Sequence, residues 1–190
     1  METSEYEAWY YNRPEAKAYI EHEGIWQNLA DMIQYFRPSH VFEFGSGLGH
    51  LVFEARSRNI DIVGSETSDY ALENSLCPGN VVKIGIIPFQ KLPFDDGSFD
   101  LVFSSEVLEH VEEEYTDSVI GELFRVCSRI ALLTINTFDP EQPGHINMHP
   151  RGWWLERFEA RGFVHDDESW RHLDGIKCIP WDVYAFSKQQ

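Results

Sequence analysis

The chain has 190 residues, 43% hydrophobic and 14% aromatic, which predicts one folded domain over 1–190 with a sizeable core and excludes a disordered chain. Fifteen basic residues against 32 acidic ones give a formal charge of −17 and no Lys/Arg cluster, which excludes DNA or RNA as partners, because counterion release needs basic surface. Cys77, Cys127 and Cys178 are odd in number and far apart, the pattern of reduced thiols in a cytoplasmic protein; the acidic start is unlike a secretory leader, and no apolar run nears the ~20 residues that cross a bilayer.

Tyr6, Trp9, Tyr10 and Tyr11 precede Pro14, which suits the first turn of a helix. Trp26, Leu29, Ile33 and Phe36 share one helical face, Gly24 marks a break before it, and Pro38 closes the segment. Val41 to Phe44 read as a buried strand that stops at a glycine, and Leu51, Val52 and Ala55 start a helical spacing just beyond. A second strand covers residues 60–65 and ends at Glu66. Ser68 or Asp69 caps the next helix, and Leu76-Cys77-Pro78-Gly79 ends it.

Further strands are expected over 81–86, 99–103 and 130–135, with a helix over 106–115 and another around 117–126. Glu112-Glu113-Glu114 reads as a solvated helix end. Residues 136–150, rich in Pro, Gly, His and Asn, form a connection long enough to suggest function. Pro150 opens a helix through Trp153, Trp154, Leu155 and Phe158 that ends at Gly162, and strands near 162–164 and over 179–186 close the chain.

The turn Gly45-Ser46-Gly47-Leu48-Gly49 is the most informative stretch. It places free backbone N–H groups and a helix N-terminus beside one pocket, and its glycines let a ligand approach the main chain. Dinucleotide enzymes want G-x-G-x-x-G, and His50 stands where the third glycine would be. Glu43, inside the strand, would repel a pyrophosphate and suits a positively charged ligand. Glu66 can accept hydrogen bonds from both hydroxyls of a ribose.

Glu43-Phe44-Gly45-Ser46-Gly47-Leu48-Gly49, Glu66 and the run from Leu92-Pro93-Phe94-Asp95-Asp96-Gly97 through Ser104-Ser105-Glu106-Val107-Leu108-Glu109-His110-Val111 resemble class I S-adenosylmethionine-dependent methyltransferases. The resemblance runs from about Tyr6 to the C-terminus. It implies a three-layer, Rossmann-like α/β fold with a mostly parallel seven-stranded sheet and an antiparallel C-terminal strand. The cofactor it implies, S-adenosylmethionine, would lie across the carboxyl ends of the first strands. It would contact Glu43, Gly45, Ser46, Gly47, Glu66, Thr67 and Ser104, with residues 1–38 as a helical lid that brings Tyr11 onto it. The loop 87–98 would carry adenine. The family usually has an acid four residues before the Leu-Pro pair; Pro88 stands there, which leaves adenine to the Phe89 backbone and to packing against Ile87 and Phe89.

Methyl transfer from a sulfonium needs alignment first, worth about 7–11 kcal/mol, and a base only for a hydroxyl or a protonated amine. The loop over 136–150 should overhang the acceptor, which makes His145 the candidate base; His149 reads as a helix-entry residue and His110 as a packed, hydrogen-bonded histidine. No metal is assigned, since Gly144 and Pro150 flank His145 and His149; a divalent cation held with Asp139 and Glu141 is the lesser reading. One of Trp153 and Trp154 should face the core and the other wall the acceptor pocket.

The stretch Gly144-His145-Ile146-Asn147-Met148-His149-Pro150-Arg151-Gly152-Trp153-Trp154 resembles methyltransferases of carbohydrate and secondary-metabolite pathways, and the resemblance implies a small polar acceptor of that type, with transfer to oxygen ahead of nitrogen. A catalytically silent cofactor-binding domain acting through a protein partner is the alternative. A nicotinamide oxidoreductase is disfavoured by His50 and Glu43.

Overall fold

A computed structural model describes residues 3–22, 24–84 and 91–188. Seven strands form one sheet: β1 (Val41–Phe44), β2 (Ile62–Glu66), β3 (Val81–Lys83), β4 (Phe99–Ser105), β5 (Cys127–Ile135), β6 (Phe163–His165) and β7 (Asp182–Lys188). Their order is β3-β2-β1-β4-β5-β7-β6, with β7 antiparallel to both of its neighbours and β3, β2, β1, β4 and β5 mutually parallel. The expected sheet is therefore present, and the antiparallel strand is the last in sequence.

Alternation along the strands builds two cores. Phe42, Phe44, Val102, Leu133 and Phe186 face one side, where α6 (Glu113–Val126) and α7 (Arg151–Ala160) cover them with Val119, Leu123, Trp154 and Phe158. Val41, Leu101, Phe103, Leu132 and Val183 face the other. There α3 (Ile25–Tyr35), α4 (His50–Ser57) and α8 (Asp167–Ile176) supply Leu29, Ile33, Leu51, Val52 and Leu173. Trp154 is thus the core tryptophan. Trp153 stacks on His149 at 3.7 Å and lies under the Arg157 guanidinium, so it is not the acceptor-pocket wall expected of it.

Three stretches differ from expectation. Thr3–Asn12 is a helix, α1, ahead of α2 (Pro14–Ile20), so the N-terminal aromatics sit on a helix rather than before one. Residues 106–115 are not a continuous helix. Glu106 takes φ 56°, a short 3-10 turn covers Leu108–His110, and α6 starts only at Glu113. Helix α8 was not foreseen, although its signal is local: Asp166 accepts from the Ser169 N–H at 3.0 Å and from its hydroxyl at 2.7 Å, ahead of Trp170 and Leu173.

The strand order reverses between β1 and β4, and this places a crevice beyond their carboxyl ends. The two connections pass so closely that a Cβ on Gly45 would meet the Val107 side chain at 2.3 Å, and Gly45 has φ +76° as well. Helix α1 closes one edge of this crevice: Glu7 accepts from the Ser68 hydroxyl at 2.9 Å, at the cap of α5 (Asp69–Glu73), and Tyr11 stacks on Tyr70.

Removing the cap of α8 in Asp166→Ala is expected to cost about 0.5–2 kcal/mol of stability in urea denaturation, with the slope unchanged; no loss would mean that α8 docks through its apolar face alone.

Candidate functional site

A cavity of about 620 Å³ opens at the crevice, within the roughly 300–1,000 Å³ typical of small-molecule sites. Glu43, Gly45, Ser46, Gly47, Glu66, Thr67 and Tyr11 all line it, as the sequence led one to expect. One expected residue does not. Ser104 is buried and donates its hydroxyl to the Phe44 carbonyl at 3.0 Å, while Ser105, one step along an alternating strand, reaches the wall. Phe89 lies outside the described residues, as do Ile87 and Pro88.

The N–H groups that open the glycine turn are spent on β2. Gly45 and Ser46 both donate their N–H to the Ser65 carbonyl, at 3.0 and 2.8 Å, and Gly47 donates to Glu66 Oε2 at 2.8 Å. The free N–H groups expected at these three positions are therefore absent, so they do not form an anion cradle. The turn instead supplies space: Gly47 has φ +51°, and a Cβ there would stand 3.7 Å from the Tyr11 ring.

Charge points the same way. Glu66 Oε1 accepts from the N–H of Thr67 at 2.7 Å and of Ser68 at 2.9 Å, and the Tyr11 hydroxyl also bonds this carboxylate. Burial and then the Glu66 charge push the Tyr11 phenol up. Glu43 is buried in β1, and its Oε2 has no partner. Burial first, then Glu66, pushes its carboxyl up to about 8. Glu7 and Glu106 bring the carboxyl groups on the wall to four. Such a surface fits a ligand with a positive centre that comes to rest at Glu43, and the orphaned oxygen is where it would bond.

The opposite end of the cavity was only partly anticipated. Arg13 is buried over the Tyr10 ring, 4.1 Å from its centroid, and donates to the Pro143 carbonyl at 3.4 Å; its Nε has no partner. His110 lines the cavity, with Gln142, Gly144 and Ile146. Burial, then neighbouring His145, pushes the His110 imidazole down to about 4, so it is neutral at pH 7. His145 itself is not on the wall. It packs edge-on to His110 with centroids 4.8 Å apart, and its Nδ1 donates to the Asp139 carbonyl at 2.6 Å. Sequence reasoning missed Glu106 and His110 because a helix over 106–115 would have carried His110 into packing with Val107, Leu108 and Val111, away from the cavity. The bend at Glu106 turns both to one side.

The loop between β5 and α7 is fastened above this end. Its Ile146 and Asn147 N–H groups both donate to the Glu109 carbonyl at 3.0 Å, and the Asn147 amide donates to Thr116 Oγ1 at 2.8 Å.

Residues 42–135 match the family model described as "Methyltransferase domain". The fold is similar to that of a TehB-like S-adenosylmethionine-dependent methyltransferase from Corynebacterium glutamicum, with 16% identity, 97% of this chain and 99% of that chain covered, and a TM-score of 0.73. It is similar to a chain in the complex of the Haloferax volcanii Trm112 methyltransferase activator with the putative methyltransferase, with 14% identity, full coverage of both chains and a TM-score of 0.67. A third likeness is to Haemonchus contortus phosphoethanolamine N-methyltransferase 2, solved with phosphomonomethylethanolamine and S-adenosylhomocysteine. Here identity is 16%, coverage 86% of this chain and 52% of that chain, and the TM-score 0.64.

A cation that settles on Glu43 must displace its proton. Below pH 8 binding of S-adenosylmethionine is therefore expected to release a proton and to tighten as pH rises toward 8, by at most about tenfold per pH unit. Titration calorimetry in buffers of different ionisation enthalpy measures this directly. The buffer dependence should vanish in Glu43→Gln; its persistence there would assign the proton to another group.

Proposed function

We propose, for a chain that belongs to the class I S-adenosylmethionine-dependent methyltransferases, that it methylates a small polar acceptor, oxygen ahead of nitrogen, at the end of the cavity lined by Arg13, Glu106 and His110. The observation that carries this reading is the unpartnered Glu43 oxygen beside the glycine turn at the β1–β4 reversal, a place for a cationic donor with an acceptor space next to it. When bound, S-adenosylmethionine supplies an activated methyl group, so the chain's own work is to position and desolvate.

Glu43 faces the cationic end of the cofactor, Gly45, Ser46 and Gly47 give it room, and Glu66 receives the ribose hydroxyls with Thr67 beside it. Phe89 holds adenine. Tyr11, carried on α1 over Gly47 and Glu66, closes the site from above, and this gives residues 1–38 their role as a lid. On the acceptor side, neutral His110 offers a nitrogen lone pair to a hydroxyl, and Arg13 and Gln142 offer donors. His145 acts through His110 rather than by touching the acceptor. Carbohydrates and hydroxylated secondary metabolites are the first acceptors to test. No helix among the described residues is long and apolar enough to cross a membrane, and the three free thiols support a reducing, cytoplasmic setting.

Incubating the protein and S-adenosylmethionine with pools of such metabolites should produce a mass gain of one methyl group. Glu66→Ala should weaken cofactor binding by about 1–3 kcal/mol in calorimetry, through lost charge-assisted hydrogen bonds, and Gly47→Val should abolish it, since φ +51° and the space beside Tyr11 both exclude a branched side chain. Unchanged affinity in either variant would move the cofactor out of this cavity.

A further inference from the structure

At the acceptor end Glu109 has no part in the reading above, and it lies beside His110 and His145, whose nitrogen lone pairs could serve an ion in place of the acceptor hydroxyl. Glu109 is fully buried; its Oε1 accepts from the Asn136 N–H at 2.9 Å, and its Oε2 has no partner. His145 is 8% exposed. Donation from its Nδ1 to the Asp139 carbonyl leaves Nε2 with a bare lone pair, and that atom is also buried without a partner. His110 is held by the Gly144 carbonyl and crosses the His145 ring at 77°. One ligand atom from each of Glu109, His110 and His145 lies within 4.8 Å of the others.

Two orphaned acceptors in one buried cluster carry a desolvation cost that a bound cation would offset. Each ligand candidate is held by a hydrogen bond at its other polar atom, which is how the outer shell orients metal-binding side chains. Glu106 hydrogen-bonds to Glu109 and stands on a left-handed backbone at φ 56°, strain that persists only where the surroundings hold it. Arg13 acts on both imidazoles and favours their neutral, ligating form.

We propose that Glu109, His110 and His145, completed by Glu106, bind a first-row divalent cation at the acceptor end of the cavity. Bonds of about 2.0–2.2 Å hold two ligand atoms no more than about 4.4 Å apart, so a spread of up to 4.8 Å closes by small side-chain adjustments. Two imidazoles with two carboxylates favour Mn2+, Fe2+, Co2+ or Zn2+ over Mg2+ and Ca2+, which take oxygen ligands. Glu106 and His110 both line the cavity, so the positions left open face the acceptor, and the group they take is an acceptor oxygen.

The use of the ion rests on the methyl-transfer reading; its binding does not. A hydroxyl coordinated there loses its proton to solvent more readily. The oxygen then forms its bond to the methyl carbon while the carbon–sulfur bond breaks and leaves its electron pair on sulfur. The products are a methyl ether, S-adenosylhomocysteine and a proton.

The test is metal binding. The chain stripped with EDTA and dialysed against Co2+ should take up one ion and show visible d–d absorption, and His110→Ala and His145→Ala should each weaken uptake at least about tenfold. Absence of uptake overturns the proposal, as does uptake that persists in the double variant with a native near-UV spectrum. Should the double variant fail to fold, imidazole proton shifts in the Co2+-loaded natural chain decide: two buried histidines shifted supports the site, and none or only exposed ones overturns it. S-adenosylhomocysteine titrated into the stripped chain separates the two readings. Its binding without Co2+ binding removes the ion alone, and Co2+ binding without it removes the cofactor site alone.

Discussion

Four glutamates with too few cations near them set the character of this protein. Glu43, Glu66 and Glu106 reach the cavity at the carboxyl edge of the parallel strands, and Glu109 lies next to it. A carboxylate removed from water must be neutralised by a proton, by N–H donors or by a cation. The first two are in use. Glu66 is satisfied by backbone N–H groups and Glu43 carries a proton at neutral pH. Burial pushes Glu106 and Glu109 up, and they share a hydrogen bond. The cavity is therefore prepared for positive charge, in keeping with a sulfonium donor at one end and a dication at the other.

The same residues hold the architecture of the acceptor side. Glu109 uses its carbonyl to fix the backbone at Ile146 and Asn147 and its carboxyl to fix Asn136 at the end of β5. A loop of this length would ordinarily be the softest part of the fold. Here both its ends are tied to one buried residue, and that is what holds His145 against His110. Removal of the Glu109 side chain would loosen the loop and the histidine pair together, so loss of activity alone cannot separate positioning from ligation. Metal uptake by the natural chain can.

The cofactor half of the site was largely legible in the sequence because its signals are local. A strand that stops at glycine, an acid inside that strand and an acid ending the next strand keep their meaning wherever they occur, since the βαβ connection brings them together. Ser104 was misassigned by one residue, which in a strand is the opposite face. The supposed N–H cradle failed for a different reason. Composition shows where glycine permits a turn but not which carbonyl the turn consumes, and Ser65 consumes two donors.

The acceptor half was illegible because its organising feature is a single backbone angle. Ser-Ser-Glu-Val-Leu-Glu-His-Val has the composition of a helix start, and nothing in it announces a non-glycine residue at φ 56°. Yet that angle makes the site. A regular helix from Glu106 would also carry Glu106, Glu109 and His110 on one face; the bend and the 3-10 turn set where they point, with Glu106 and His110 on the cavity wall and Glu109 buried behind it beside His145. Glycine at 106 would relieve the strain and forfeit the carboxyl group. The chain keeps a carboxyl group on a left-handed backbone, and that group is what glycine could not supply at the cavity wall.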